Sequence, residues 1–243
     1  MIKKKRAVKK GKLIVVDGAD GSGKATQSAL LARALRKRGA KVKAIDFPQY
    51  QQNFFGGLIG RYLAGEFGDF IQHDPYLASV LYAADRFETS KKIRRWLEDG
   101  YIVVADRYAS ANQIHQGSKI TDLKKRKLFL DWLDEMEFDV FAIPRPDLVV
   151  YLEVPSRVSA RLLKYKRSSN KKKYLSKTGA GRDVAESNLE HQQASRHSAM
   201  ELVRQRNDWR QINCAPDGTI MPREAIHEWV IAAVVPVLKL KSL

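Results

Sequence analysis

The chain has 243 residues, 44% hydrophobic and 29% charged, with 15 glycines, 8 prolines and one cysteine, a composition that excludes collagen, a coiled coil and an unstructured polymer. The single thiol, Cys214, excludes an internal disulfide framework and suits a reducing compartment. The net charge of +17 is concentrated in residues 1–12 and 161–173, each with seven Lys or Arg and no acid, so the rest carries only +3 and no specific nucleic-acid partner is expected.

Leu13–Val16 is a short apolar run ended by Asp17-Gly18 and reads as a buried strand. Lys24 to about Arg38 reads as a helix with Leu30, Leu31, Ala34 and Leu35 on one face and Gly39 as its stop. Val42–Phe47 is a second strand stopped by Pro48, and Asp74-Pro75 opens a long helix to about Asp99. Tyr101–Ala105 is a third strand, Thr121 to about Phe138 a helix, and Leu148–Val154 a fourth strand. A helix starts at Ser156, another spans roughly Val184–Asn207, Trp209–Cys214 is a fifth strand, and Pro222 opens the last helix. Strands separated by helices predict a parallel sheet covered on both faces, an α/β three-layer α/β/α sandwich with five strands. Residues 1–11 are expected to form a flexible basic arm and 12–243 one domain. The longest apolar stretch, Trp229 to Leu238, is broken by Pro236 and far shorter than the roughly 20 residues of a membrane span. The start of the chain lacks the apolar core of about 7–15 residues that a signal peptide needs, so a soluble cytoplasmic protein away from membranes is expected.

Gly18-Ala19-Asp20-Gly21-Ser22-Gly23-Lys24 lies between the first strand and its helix and fits G-x-x-x-x-G-K. Backbone N–H groups there can cradle an oligophosphate, the helix N-terminus adds positive potential, and Lys24 can reach β/γ oxygens. The pattern calls for Ser or Thr next, to ligate Mg²⁺, but Ala25 stands there and Thr26 points about 100° further round the helix. Asp106, the acid at the end of Tyr101-Ile-Val-Val-Ala, is the better metal candidate, with a helix N-cap as the lesser alternative on position alone.

This loop, with Phe47-Pro48, Tyr82-Ala-Ala-Asp-Arg86, Asp106-Arg107-Tyr108, Asn112 and His115-Gln116-Gly117, resembles the thymidylate kinase family in order along the chain. The resemblance implies a fold of the P-loop NTP hydrolase type, ATP with Mg²⁺, transfer of the γ-phosphoryl group to dTMP, and a homodimer. It places Gly18 to Thr26 at ATP, Asp106 and Thr26 at the metal, and Asp20, Phe47, Tyr82, Arg86, Arg107, Asn112, His115 and Gln116 at dTMP. Tyr82 would stack on the base, Arg86 hydrogen-bond its carbonyl, Asn112 read its edge, and His115 exclude a ribose 2′-hydroxyl. Asp20 would approach the 3′-hydroxyl and Arg107 hold the acceptor phosphate. On residue chemistry alone, Tyr82 could be core and Arg86 could pair with a nearby acid such as Asp85. Two positions depart from the pattern: Tyr50 replaces an arginine in Phe-Pro-x-Arg, and Ala111 replaces a serine.

The resemblance implies an arginine either inside the phosphate loop or on a lid; the loop interior here contains none, and the resemblance places the lid at about 160–183, with Arg161, Arg167 and Arg182 as candidates. Lys24, Asp20, Arg107, Arg167 and Arg182 form the expected catalytic set. Competing readings are another nucleotide or deoxynucleoside kinase of the same fold, a nucleic-acid-binding ATPase, and an inactive relative.

Overall fold

The computed structural model describes residues 10–68, 73–167 and 189–239. Five strands form one all-parallel sheet: β1 (Lys12–Gly18), β2 (Val42–Asp46), β3 (Ile102–Asp106), β4 (Leu148–Glu153) and β5 (Trp209–Asn213). Their order is β2-β3-β1-β4-β5. Eight α-helices are described: α1 (Lys24–Lys37), α2 (Phe54–Leu63), α3 (Pro75–Glu98), α4 (Ala109–His115), α5 (Leu123–Asp134), α6 (Ser156–Arg167), α7 (Leu189–Gln205) and α8 (Arg223–Leu238).

The central strands are apolar on both faces because both faces are covered. Ile14 and Val16 of β1, with Val150 and Leu152 of β4, pack against Leu31 and Leu35 of α1 and Val230 and Val234 of α8. Their alternates, Leu13, Val15, Val149 and Tyr151, face Ile93 and Leu97 of α3 and Ala199 and Leu202 of α7. The expected three-layer sandwich and its five strands are therefore present. No described helix is long and apolar enough to cross a membrane.

Two helices were not expected. In α2, Gly56, Gly57 and Gly60 lower the intrinsic propensity. Packing of Ile59, Tyr62 and Leu63 against Leu81 and Tyr82 of α3, and the Asn53 side chain capping Gly56 N–H at 2.7 Å, stabilise it instead. Helix α4 has seven residues and no apolar periodicity long enough to read. The helix expected from Thr121 to Phe138 also ends early: α5 stops at Asp134 and continues as a π-helical turn, Glu135–Val140.

Gly18 closes β1 opposite Leu152 of β4. A Cβ there would lie 2.6 Å from the Leu152 carbonyl oxygen and 2.7 Å from Ser22 Oγ, in a backbone with φ +154°. Gly18→Ala should therefore lower stability by about 1–3 kcal/mol, read as a lower urea midpoint with an unchanged m-value; an unchanged midpoint would contradict this packing.

Candidate active site

Beyond Gly18 the chain leaves the sheet and turns through Gly21 (φ +85°) and Gly23 (φ +92°) into α1. The left-handed geometry at both positions is open to glycine at little steric cost and turns the loop back over the strand ends. Lys24 folds over this loop: Nζ donates to the carbonyl oxygens of Gly18 and Ala19, both at 2.9 Å, and lies 3.5 Å from Asp20 Oδ1. Burial, then the neighbouring Arg107, holds the ammonium below the usual lysine range.

The sheet register puts Val16 of β1 opposite Asp106 of β3, so Asp106 and Arg107 emerge beside the loop. Arg107 adopts φ +63°, uncommon for a side-chain-bearing residue, and its N–H donates to Val16 O at 3.0 Å. The Arg107 guanidinium pairs with Asp20. Burial raises the pKa of Asp106, opposed by Lys24 and Arg107. Behind the loop, fully buried Asp17 accepts from Gly18 N–H at 2.8 Å and from Ser110 Oγ at 2.6 Å, linking loop to α4.

These groups open onto a cavity of about 310 Å³. Ala19, Asp20, Gly21, Gly23, Lys24, Ala25, Asp106 and Arg107 line it, together with Phe47, Tyr82, Arg86, Asn112, His115 and Gln116. Nearly every expected nucleotide-site residue thus faces one space. Gly18, Ser22 and Thr26 do not line the cavity. Thr26 follows Ala25, whose side chain faces the cavity, by one helical position. Arg161 is exposed and does not line the cavity. Arg182, most of the expected lid, and the side chain of Arg167 lie outside the described residues. So do residues 1–9 of the expected arm.

Tyr82 is placed by α2 packing on α3, and Phe47 tilts against Tyr108 with ring centroids 5.5 Å apart. Arg86 is fully buried; its partner is Glu137 and not the adjacent Asp85, with Nε donating at 2.7 Å and Nη2 bonding the second carboxylate oxygen. Asp85 instead accepts from Asn53 Nδ2 at 2.7 Å and from Gln49 N–H. His115 stacks on His191 of α7 with centroids 5.8 Å apart, and its Nδ1 lies 3.2 Å from Ser195 Oγ. Its Nε2 is buried with no partner among the described residues. Glu137, Asp17, Ser110 and the α7 group His191, Gln192, Ser195 and Arg196 were not singled out from sequence.

A family model described as thymidylate kinase matches residues 16–218. The chain belongs to the thymidylate kinase family. It is 36% identical over 159 residues to the probable thymidylate kinase of Pyrococcus horikoshii, covering 64% of this chain and 71% of that relative. It is 29% identical over 147 residues to thymidylate kinase of Mycobacterium tuberculosis, covering 60% and 68% respectively. The human thymidylate kinase is 32% identical over 148 residues, 61% of this chain and 63% of that one. A solved thymidylate kinase from Candida albicans shares the fold, with TM-score 0.69 over 95% of this chain and 93% of its own at 22% identity. The cavity of this thymidylate kinase family member carries an aromatic, an arginine and an amide, Tyr82, Arg86 and Asn112, and part of its wall is built from His115 and His191.

Burial, then Lys119, pushes the His191 pKa down to about 4, and burial, then Arg107, holds His115 well below its ordinary value. The His191 ring stays neutral in the folded state while the unfolded chain takes up a proton near pH 6.5, so its contribution to stability is lost as pH falls from about 6.5 toward about 4, and His115 acts in the same direction. His191 alone should cost about 2 kcal/mol between pH 7 and pH 5. Urea unfolding of His191→Gln should show a pH slope flatter by about that amount; parallel slopes would contradict the buried neutral ring.

Proposed function

We propose that this chain transfers the γ-phosphoryl group of ATP to the 5′-phosphate of dTMP, giving ADP and dTDP. The observation that carries this reading is the shared cavity, in which the phosphate loop and Arg107 face Tyr82, Arg86 and Asn112. Backbone N–H groups of the loop and Lys24 bind the donor phosphates, and Lys24 exchanges its loop carbonyl contacts for phosphate oxygens. Arg107, held by Asp20 and by its left-handed backbone, orients the acceptor phosphate for in-line attack. Tyr82 covers the base, Arg86 donates to a base carbonyl, and the His115 wall closes on the sugar face where a ribose would carry a second hydroxyl.

For Mg²⁺ the fit rests on few groups. Among the described residues no three His, Cys, Asp or Glu side chains gather to hold a metal ion, and Ala25 offers no hydroxyl. Magnesium bound with nucleotide needs only one or two carboxylates, the rest of its shell being phosphate and water, and Asp106 on the cavity wall supplies one. When bound it neutralises charge on the β- and γ-phosphates. The homodimer is supported by an exposed apolar stripe on α3, Leu77, Val80 and Phe87, beside exposed Phe54 at the start of α2. Cys214, buried and unpaired with its pKa pushed up to about 12, suits the cytoplasm.

A coupled ADP-release assay across dTMP, dUMP, dCMP and thymidine tests the reading: dTMP should be turned over in preference to the others. Preferred turnover of another acceptor, or ATP hydrolysis with no acceptor, would contradict it. Lys24→Ala should lower kcat by about 100-fold or more, as for loss of a charge-stabilising donor, while Ala25→Ser should change it by less than about tenfold.

A further inference from the structure

Three elements meet behind the inner wall of the cavity: α3 contributes Arg86, α4 contributes Asn112, and the π-helical turn after α5 contributes Glu137. That wide turn, closed by Phe141 N–H to Met136 O at 2.9 Å, aims Glu137 inward and leaves Glu135 and Asp139 exposed. All three inner side chains are almost completely buried. Glu137 takes Arg86 through both of its oxygens, and the oxygen shared with Arg86 Nη2 also accepts from Asn112 Nδ2 at 3.0 Å. Asn112 Nδ2 also donates to the Ser79 carbonyl at 3.1 Å.

Two fixed acceptors around one amide nitrogen decide which way Asn112 faces. Turned over, its oxygen would meet a carboxylate and a carbonyl with no hydrogen between them, so the amide group left for the cavity is the oxygen Oδ1. The Arg86 guanidinium beside it can only donate. The wall therefore presents an acceptor next to a donor. A thymine or uracil edge, with N3–H beside the C4 carbonyl, matches both. A cytosine edge, with a bare N3 beside an amino group, opposes both.

We propose that Glu137 is a positioning residue that sets the base selectivity of this kinase, locking Asn112 and Arg86 in the order that accepts thymine and refuses cytosine. The proposal rests on the reading of this cavity as the dTMP site. Without the carboxylate Asn112 can turn over and Arg86 can swing, so the loss falls on recognition of one base and not on phosphoryl transfer.

The test is steady-state kinetics of Glu137→Gln with dTMP and dCMP, with Glu137→Asp as the charge-retaining control. For Glu137→Gln, kcat/KM for dTMP should fall by about tenfold or more, mainly through KM, and the dTMP:dCMP preference should shrink by a similar factor. Glu137→Asp should restore part of that preference. A purely structural role would depress both substrates equally, and an unchanged preference in folded Glu137→Gln overturns the proposal. If Glu137→Gln does not fold by circular dichroism, the preference is read in Glu137→Asp, where a smaller loss in the same direction supports the proposal and no loss overturns it. The parent reading is checked separately with wild type and Asn112→Ala. A wild type indifferent to the base, or an Asn112→Ala variant with wild-type KM for dTMP, removes the pocket reading and the proposal with it. A selective wild type whose preference is lost in Asn112→Ala but kept in Glu137→Gln removes Glu137 alone.

Discussion

Parallel pairing of β1 with β3, Val16 opposite Asp106, makes the phosphate loop and the Asp106-Arg107 pair leave the sheet at the same edge. In an open α/β sheet, ligands bind in the crevice outside the carboxyl ends of the strands, beside the point where the strand order reverses. Here β1 lies between β3 and β4, so both neighbours of the loop-bearing strand contribute: β3 with Asp106 and Arg107, and β4 with Leu152 packed against Gly18. A slip of β3 by one residue would reverse the faces of Val103 and Val104, each packed into a different side of the core. The geometry of the site is thus held by the apolar alternation of the strands beneath it.

The same edge concentrates charge in a partly desolvated space. Lys24 and Arg107 are opposed by Asp20, Asp106 and Asp17, and each basic group meets a carboxylate or carbonyl of the loop itself. Such an arrangement keeps the two cations oriented before any phosphate arrives, which reduces the reorganisation that binding would otherwise require. Farther into the cavity the chemistry changes from point charge to hydrogen-bond direction, through Arg86, Asn112 and the carboxylate behind them.

The sandwich and the loop were legible because their signals are local: a β-branched run, a glycine turn, then an amphipathic helix. Asp106 and Arg107 were legible for the same reason, standing at the end of an apolar strand. What could not be read depends on distance in sequence. Arg86 invites an adjacent acid, yet Asp85 is already engaged by Asn53 and Gln49, and its partner comes from 51 residues away through a π turn that no simple periodicity announces. Helix α2 is hidden by its glycines, and the histidine stack by the fact that His115 and His191 meet only after α7 docks on α4.

The most direct measurement is a crystal structure of the protein with ADP and dTMP bound together. The ADP phosphates should lie enclosed by the amides between Gly18 and Ala25 and touched by Lys24. The dTMP phosphate should sit on Arg107, with thymine against Tyr82 and its N3–H on Asn112 Oδ1. Nucleotide phosphates lying away from that loop, or a pyrimidine outside the wall formed by Tyr82, Arg86 and Asn112, would contradict this arrangement.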